Sequence, residues 1–225
     1  MIRKSRNGDF HLIDGGTHID AWAEAAGRLD HDQNSLPRVL PYVPAGGTVV
    51  DAGAYTGDWT TAFLLKVGPL GQVFAFEPNP EAFECLQLNC PWASCHKVAL
   101  CNQLGTGGLL PPTDNNYGAT QVFPNAPFGD VQLMALDSLA LTRLDLLKAD
   151  VEGCEYDLLL GAARTIERFR PVLVVEVNES ALKSHDGCTP QHLIELIISF
   201  NYNVKNLYPR QDVGGPMCDV ICLPL

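Results

Sequence analysis

A carboxylate followed by two spaced glycines stands at Val49-Val50-Asp51-Ala52-Gly53-Ala54-Tyr55-Thr56-Gly57. Two β-branched residues run into Asp51, and a helix-forming stretch begins just after Gly57. A strand, a tight turn and a helix start in that order form the usual place for an α/β protein to hold a nucleotide-like ligand. A dinucleotide site would place three glycines as G-x-G-x-x-G, so that backbone can approach a pyrophosphate. The spacing here is D-x-G-x-x-x-G, which fails that test. A carboxylate at the strand tip repels phosphate and suits an ammonium group.

A second carboxylate ends the next apolar run, Gln72-Val73-Phe74-Ala75-Phe76-Glu77-Pro78-Asn79. At the tip of the second strand of a Rossmann-like sheet, such a group accepts hydrogen bonds from both ribose hydroxyls. The pair of motifs points to a ligand with a ribose and an ammonium, and S-adenosylmethionine carries both. The expected donor-binding residues are Asp51, Ala52, Gly53, Tyr55, Thr56, Gly57, Glu77, Pro78 and Asn79. The competing reading is purely structural: glycines that serve a turn and a glutamate that ends a strand.

Three further carboxylates, Asp150, Glu152 and Glu176, fall near the ends of two later apolar strands, on the sheet edge where open α/β folds bind ligands. A sulfonium methyl is already activated, so alignment supplies much of the acceleration, but a hydroxyl acceptor gains from a base or a metal ion. Asp150 is the first candidate for general base or contact to the donor ammonium, with Glu152 and Glu176 next. The same three could hold a hard divalent cation through oxygen ligands. Glu152 or Glu155 could instead cap the helix beside them, and Glu155 reads as a cap. His185 lies in a loop on the active edge, and Asn115, Asn116, Tyr117 and Thr120 are the amide and hydroxyl groups suited to a hydroxyl-rich acceptor. His18, His31 and His192 are weaker alternatives as bases.

These residues need an alternating framework to position them. The pattern predicts a short helix over 36–43, a strand at 48–52, a helix at 57–66, a strand at 72–77 and a helix at 80–89, with Asn79 as N-cap and Pro80 at the first helical position. Strands follow near 96–101, 131–136, 144–151 and 171–177, with helices at 155–169 and 190–201 and closing strands at 203–208 and 217–223. Residues 105–130 are rich in Gly, Pro, Asn and Thr, with short strands near 106–110 and 119–123; a polar stretch of that length is expected to face substrate. Residues 1–44 read as an N-terminal lid or docking segment, with Phe10, Leu12, Ile13, Ile19 and Trp22 as docking residues, ahead of a catalytic core at 45–225.

The chain has 225 residues, one domain's worth, with ordinary globular composition. A net charge of -11 disfavours a phosphate-backbone partner, so no nucleic-acid substrate is expected. No apolar run reaches the length of a membrane span, and the basic residues Arg3, Lys4 and Arg6 lead into Asn7-Gly8-Asp9 rather than an apolar signal core, so the default location is cytoplasmic. The eight cysteines include no C-x-x-C and read as buried free thiols.

Three motifs stand in order: Asp51-Ala52-Gly53-Ala54-Tyr55-Thr56-Gly57, Phe76-Glu77-Pro78-Asn79-Pro80 and Lys148-Ala149-Asp150-Val151-Glu152-Gly153-Cys154-Glu155. Together they resemble the FkbM-type family of S-adenosylmethionine-dependent methyltransferases, over about residues 45–180, with 218–224 similar to its closing strand. The resemblance implies a class I methyltransferase fold: a seven-stranded, mostly parallel sheet in the order 3-2-1-4-5-7-6, strand 7 antiparallel, with helices on both faces. It also implies that Ala99 and Leu100 flank the adenine, and that the acceptor is a hydroxyl on a sugar, glycolipid or natural product. Methylation of a small amine and a donor-binding module without turnover remain the alternatives.

Overall fold

A computed structural model describes residues 1–29, 32–110, 119–124, 126, 129–185, 187–208, 213 and 217–225. The chain opens with a hairpin, β1 (Ile2–Lys4) and β2 (His11–Ile13), and helix α1 (His18–Ala26). Thr17 and Asp20 form a reciprocal capping box at the start of α1. The sequence pattern leads only to a docking segment here, although a Thr three residues before an acid is a helix-start signature. Helix α2 (Leu36–Val39) is a single turn, continued as a tighter 3-10 turn where Pro41 cannot donate.

The core then alternates: β3 (Thr48–Ala52), α3 (Asp58–Val67), β4 (Gln72–Phe76), α4 (Pro80–Asn89) and β5 (Ser94–His96). Short strands follow: β6 (Ala99–Leu100), β7 (Gly105–Leu110), β8 (Gln121–Phe123) and β9 (Val131–Met134). The alternation resumes with β10 (Leu146–Ala149), α5 (Glu155–Gly161), α6 (Ala163–Phe169), β11 (Val172–Asn178), α7 (Glu179–Ser184) and α8 (Pro190–Ser199). Strands β12 (Tyr202–Asn206) and β13 (Met217–Pro224) close the chain. The main sheet runs β5-β4-β3-β10-β11-β13-β12, parallel except for β13, which is antiparallel to both neighbours. That is the order 3-2-1-4-5-7-6 expected from the resemblance.

Both faces of the sheet are covered, which is why its central strands are apolar at successive positions. Val50, Ala52, Leu147 and Ala149 enter one core with residues of α5 and α8. Val49 and Leu146 point the other way, into a second core with Phe63 and Val67 of α3.

Two expected elements differ. The strand expected at 96–101 is divided: Ser94–His96 joins the main sheet, whereas β6 leaves it to pair with β9. The insertion supplies β7 and β8, so a second sheet β6-β9-β7-β8 stands beside the first. The helix expected at 155–169 breaks at Ala162, which leaves helical geometry between α5 and α6.

Candidate active site

The tips of β3, β4 and β10 bound a cavity of about 450 Å³. The size lies in the range of small-molecule sites. The turn after β3 is held close against β10. A side chain at Gly53, whose φ is +77, would meet the carbonyl oxygen of Asp150 at 1.7 Å, so only glycine allows this approach. Gly57 (φ +99) sits against Cys90 and opens α3.

Glu77 stands at one end of the cavity, and both of its oxygens are fixed by backbone. Oε2 accepts the Tyr55 N–H at 2.9 Å and Oε1 accepts the Asn79 N–H at 2.8 Å. Pro78, Ala99 and Leu100 also line the cavity there, an apolar wall beside a fixed carboxylate. Asn79 faces its own helix, capping Glu81 and Ala82 N–H groups, while its amide reaches Thr120 at 3.4 Å. Thr120 lines the cavity from the insertion.

Asp51, expected at the methionine end of the donor, is not among the residues that line the cavity. It is fully buried below the cavity: Oδ2 accepts from the Thr60 hydroxyl at 2.6 Å, and Oδ1 faces the Lys148 ammonium at 3.7 Å. The register of β3 with β10 sets Lys148 opposite Asp51. Lys148 continues to Asp150, at 2.9 Å, and lies 5.5 Å from the Trp59 ring centre. An ammonium of the protein itself is therefore the ion-pair partner of Asp51, and the groups that line the cavity beside it include Lys148, Asp58, Trp59 and Asp150. Lys148, Asp58 and Trp59 are not among the residues expected from the motifs. A lysine inside an apolar parallel strand is the available signal, since buried lysines need anionic partners.

At the far end Asp150, Glu152 and Glu176 converge, one oxygen of each lying within 4.8 Å of the others. Glu152 holds φ +54, an uncommon backbone state for a residue with a side chain. Glu155 is buried beneath them and accepts the N–H groups of Val151 (2.9 Å) and Gly153 (3.0 Å), so it shapes this loop as a helix-start acceptor. His185 lies away from the main cavity. It stacks on Phe123 at 4.8 Å, approaches Cys154 Sγ at 3.6 Å and lines a separate cavity with Cys188 and His192. Thr56 and Gly57 shape the turn without lining the cavity. Asn115, Asn116, Tyr117 and His31 lie outside the described residues.

Burial governs the electrostatics. It raises Asp51, against the opposing pull of Lys148 and Thr60. Burial pushes Asp58 and Glu77 up to about 7, although backbone N–H groups of Asn79 and Tyr55 limit the rise at Glu77. Glu152 goes up to about 8 through burial, then repulsion from Asp150 and Glu155. Glu176 is raised by burial, then by Asp150 and Glu152. For Lys148 burial opposes the charge, but Asp150 and Asp51 more than reverse it, and its pKa lies above that of free lysine.

A pH dependence follows. Carboxyls held at about 7 when folded release their protons near pH 4 when unfolded, so between those values the folded chain binds more protons. This contribution to stability is complete below about pH 4 and is lost as pH rises towards 7. The ligand-free protein is expected to melt at a higher temperature at pH 5 than at pH 8, measured by differential scanning fluorimetry. A melting temperature that climbs across this range would contradict the assignment of burial as the dominant effect.

The sheet order, with its antiparallel penultimate-position strand and ligand cavity at the strand tips, defines the class I S-adenosylmethionine-dependent methyltransferase fold. Residues 51–204 match the Methyltransferase FkbM domain, and the chain belongs to that family. A curated relative, Methyltransferase sdnD of Sordaria araneosa, is 27% identical over a match covering 53% of this chain and 61% of that one. The chain thus spans less than two thirds of that relative. Among solved structures, an FkbM methyltransferase from Methylobacillus flagellatus KT superposes with TM-score 0.55 at 16% identity, over 80% of this chain and 44% of that one. A TehB-like S-adenosylmethionine-dependent methyltransferase from Corynebacterium glutamicum gives 0.55 at 14%, over 91% and 92%. Aeropyrum pernix fibrillarin, with natively bound S-adenosyl-L-methionine, gives 0.51 at 13%, over 84% and 76%. At these identities the structures speak for the fold. No helix among the described residues is long and apolar enough to cross a membrane.

Proposed function

We propose that the protein transfers the methyl group of S-adenosylmethionine to a hydroxyl of a small acceptor, a sugar, glycolipid or natural product. The observation that carries this reading is a cavity with fixed Glu77 at one end and the Asp150, Glu152 and Glu176 carboxylates at the other. The residues present fit the donor. Glu77 is held by two backbone N–H groups and offers its remaining lone pairs to a ribose, Ala99 and Leu100 offer an apolar wall to a base, and the surrounding carboxylates favour a sulfonium. When bound, the donor supplies an electrophilic methyl group.

The work left to the protein is alignment and removal of the acceptor proton. Asp150 borders the cavity and is steadied by Lys148, which makes it the first candidate for that proton. Glu152, with its pKa pushed up to about 8, is matched to proton uptake near neutrality. The same three oxygens could bind a hard divalent cation that polarises the acceptor, and turnover with and without a chelator separates the two arrangements. A carboxylate of Asp150, Glu152 or Glu176 could also take the proton from a bound ammonium and free its lone pair, which makes N-methylation of a small amine the second reading.

The deciding experiment is a calorimetric titration with S-adenosylhomocysteine. Saturable micromolar binding is expected, and turnover is then sought with hydroxylated and amine acceptors side by side. A folded sample that binds nothing would overturn the donor assignment. Binding with no turnover on any acceptor class would favour a donor-binding module.

A further inference from the structure

Residues 1–29 lie outside the stretch that matches the family, yet His18 and Ile19 form part of the main cavity wall. Ile2, Ile13 and Ile19 pack with Tyr55, Ala82 and Cys85. Asn89 ties β2 to the glycine turn: its Oδ1 accepts the His11 N–H at 2.6 Å, and its amide donates to the carbonyls of His11 (3.0 Å) and Thr56 (2.8 Å). A buried polar contact stands at Asp20. Its Oδ1 accepts the Ile13 N–H at 3.2 Å, and its Oδ2 accepts the Thr17 N–H at 2.8 Å and the Tyr55 hydroxyl at 2.6 Å. Asp20 and Tyr55 are both buried.

Tyr55 thereby joins two parts of the molecule. Its phenol holds the N-terminal segment through Asp20, and its N–H holds Glu77. It does so at φ +47, in the left-handed region that a bulky side chain avoids. Such a conformation persists only where surrounding contacts over-determine it. We propose that Tyr55 and Asp20 are positioning residues that couple docking of the N-terminal segment to binding of the nucleoside end of the donor. This rests on the donor reading given above. Without the hydrogen bond from the phenol to Asp20, the turn is free to relax and the Tyr55 N–H no longer fixes Glu77. Because coupling between two events is reciprocal, donor binding must in turn tighten the N-terminal segment.

Tyr55→Phe in the whole chain tests this, since the ring and its packing stay while the phenol's short bond to Asp20 and its longer one to Thr17 Oγ1 (3.4 Å) go. Two readouts are taken: S-adenosylhomocysteine affinity by calorimetry, and amide hydrogen exchange over residues 11–20 with and without that ligand. In the parent protein the ligand is expected to slow exchange over 11–20. In Tyr55→Phe the Kd is expected to rise about tenfold, as for removal of a bond to a buried charged group, and the ligand-induced protection to disappear. Asp20→Asn, which also alters the acceptor for the Ile13 and Thr17 N–H groups, should raise the Kd too, and the double variant should be no weaker than the worse single one, because the Tyr55–Asp20 hydrogen bond is the contact that both remove. If Asp20→Asn does not fold, Tyr55→Phe decides alone. A parent protein that binds, with a Tyr55→Phe variant of equal Kd and equal protection, overturns the coupling. A folded parent protein that does not bind removes the donor reading and the coupling with it.

Discussion

Replacing Asp150 with alanine is expected to lower kcat by about 10²- to 10⁴-fold, the usual size of a general-base contribution. The side chain borders the cavity beside Glu152 and Glu176, where the proposed reaction would bring the acceptor to the donor methyl. The fold should survive. Asp150 gives the architecture its carbonyl against Gly53, an N–H donated to the Ala52 carbonyl at 3.2 Å and a carboxylate oxygen 2.9 Å from Lys148. Lys148 keeps Asp51 as a partner when the Asp150 carboxylate is gone. Affinity for S-adenosylhomocysteine should therefore fall much less than turnover. Asp150→Asn, which keeps the shape and removes the base, should be nearly as slow. Steady-state rates beside calorimetric Kd values separate the two effects, and turnover of the alanine variant at the parent rate would dismiss Asp150 as base.

Lys148→Met is expected to act on stability first. Asp51 is fully buried, and its Oδ1 has Lys148 as its ion-pair partner at 3.7 Å. Removing one member of a buried ion pair typically costs about 3–5 kcal/mol, because the remaining charge is stranded. For a domain of this length that corresponds to a fall in melting temperature of roughly 6–20 °C. The stranded carboxyl escapes by taking a proton, so its folded pKa rises further above the unfolded one. The defect should therefore be smaller at pH 5 and larger at pH 8, because holding a proton on folded Asp51 costs more the further the pH rises above its unfolded pKa. Asp51→Asn in the same chain should restore part of the stability, and the double-mutant cycle gives the coupling. A Lys148→Met variant as stable as the parent at pH 8 would show that the pair is not what holds the tips of β3 and β10 together.

The legible parts of the site are those encoded by neighbours in the chain. Val49-Val50-Asp51 followed by Gly53 and Gly57 specifies a strand, a turn and a helix start within a dozen or so residues, and the run ending at Glu77 does the same. Asn79-Pro80 marks the start of α4 for a local reason, a side-chain acceptor before a residue without an N–H. The Thr17–Asp20 capping box is also a local signal, but a faint one, because the apolar residues after it are mostly alanine and α1 buries only Asp20 and Ala23. The division of 96–101 lies beyond local reading. Ala99 and Leu100 suit any strand, and their partner β9 is supplied by a segment some thirty residues later.

The amino-acid sequence by itself determined that carboxylates and glycines would stand at the ends of parallel strands, since strand, turn and helix signals act over a few residues. Only the tertiary structure decided which of those carboxylates meet. Asp51 turns to Lys148 because β3 and β10 pair in one register, and Asp150, Glu152 and Glu176 converge because β10 and β11 lie side by side. Tyr55 reaches Asp20 because the N-terminal segment folds back over the turn. These contacts join residues far apart in the chain, and they are chosen by the packing of whole elements, which no local pattern contains.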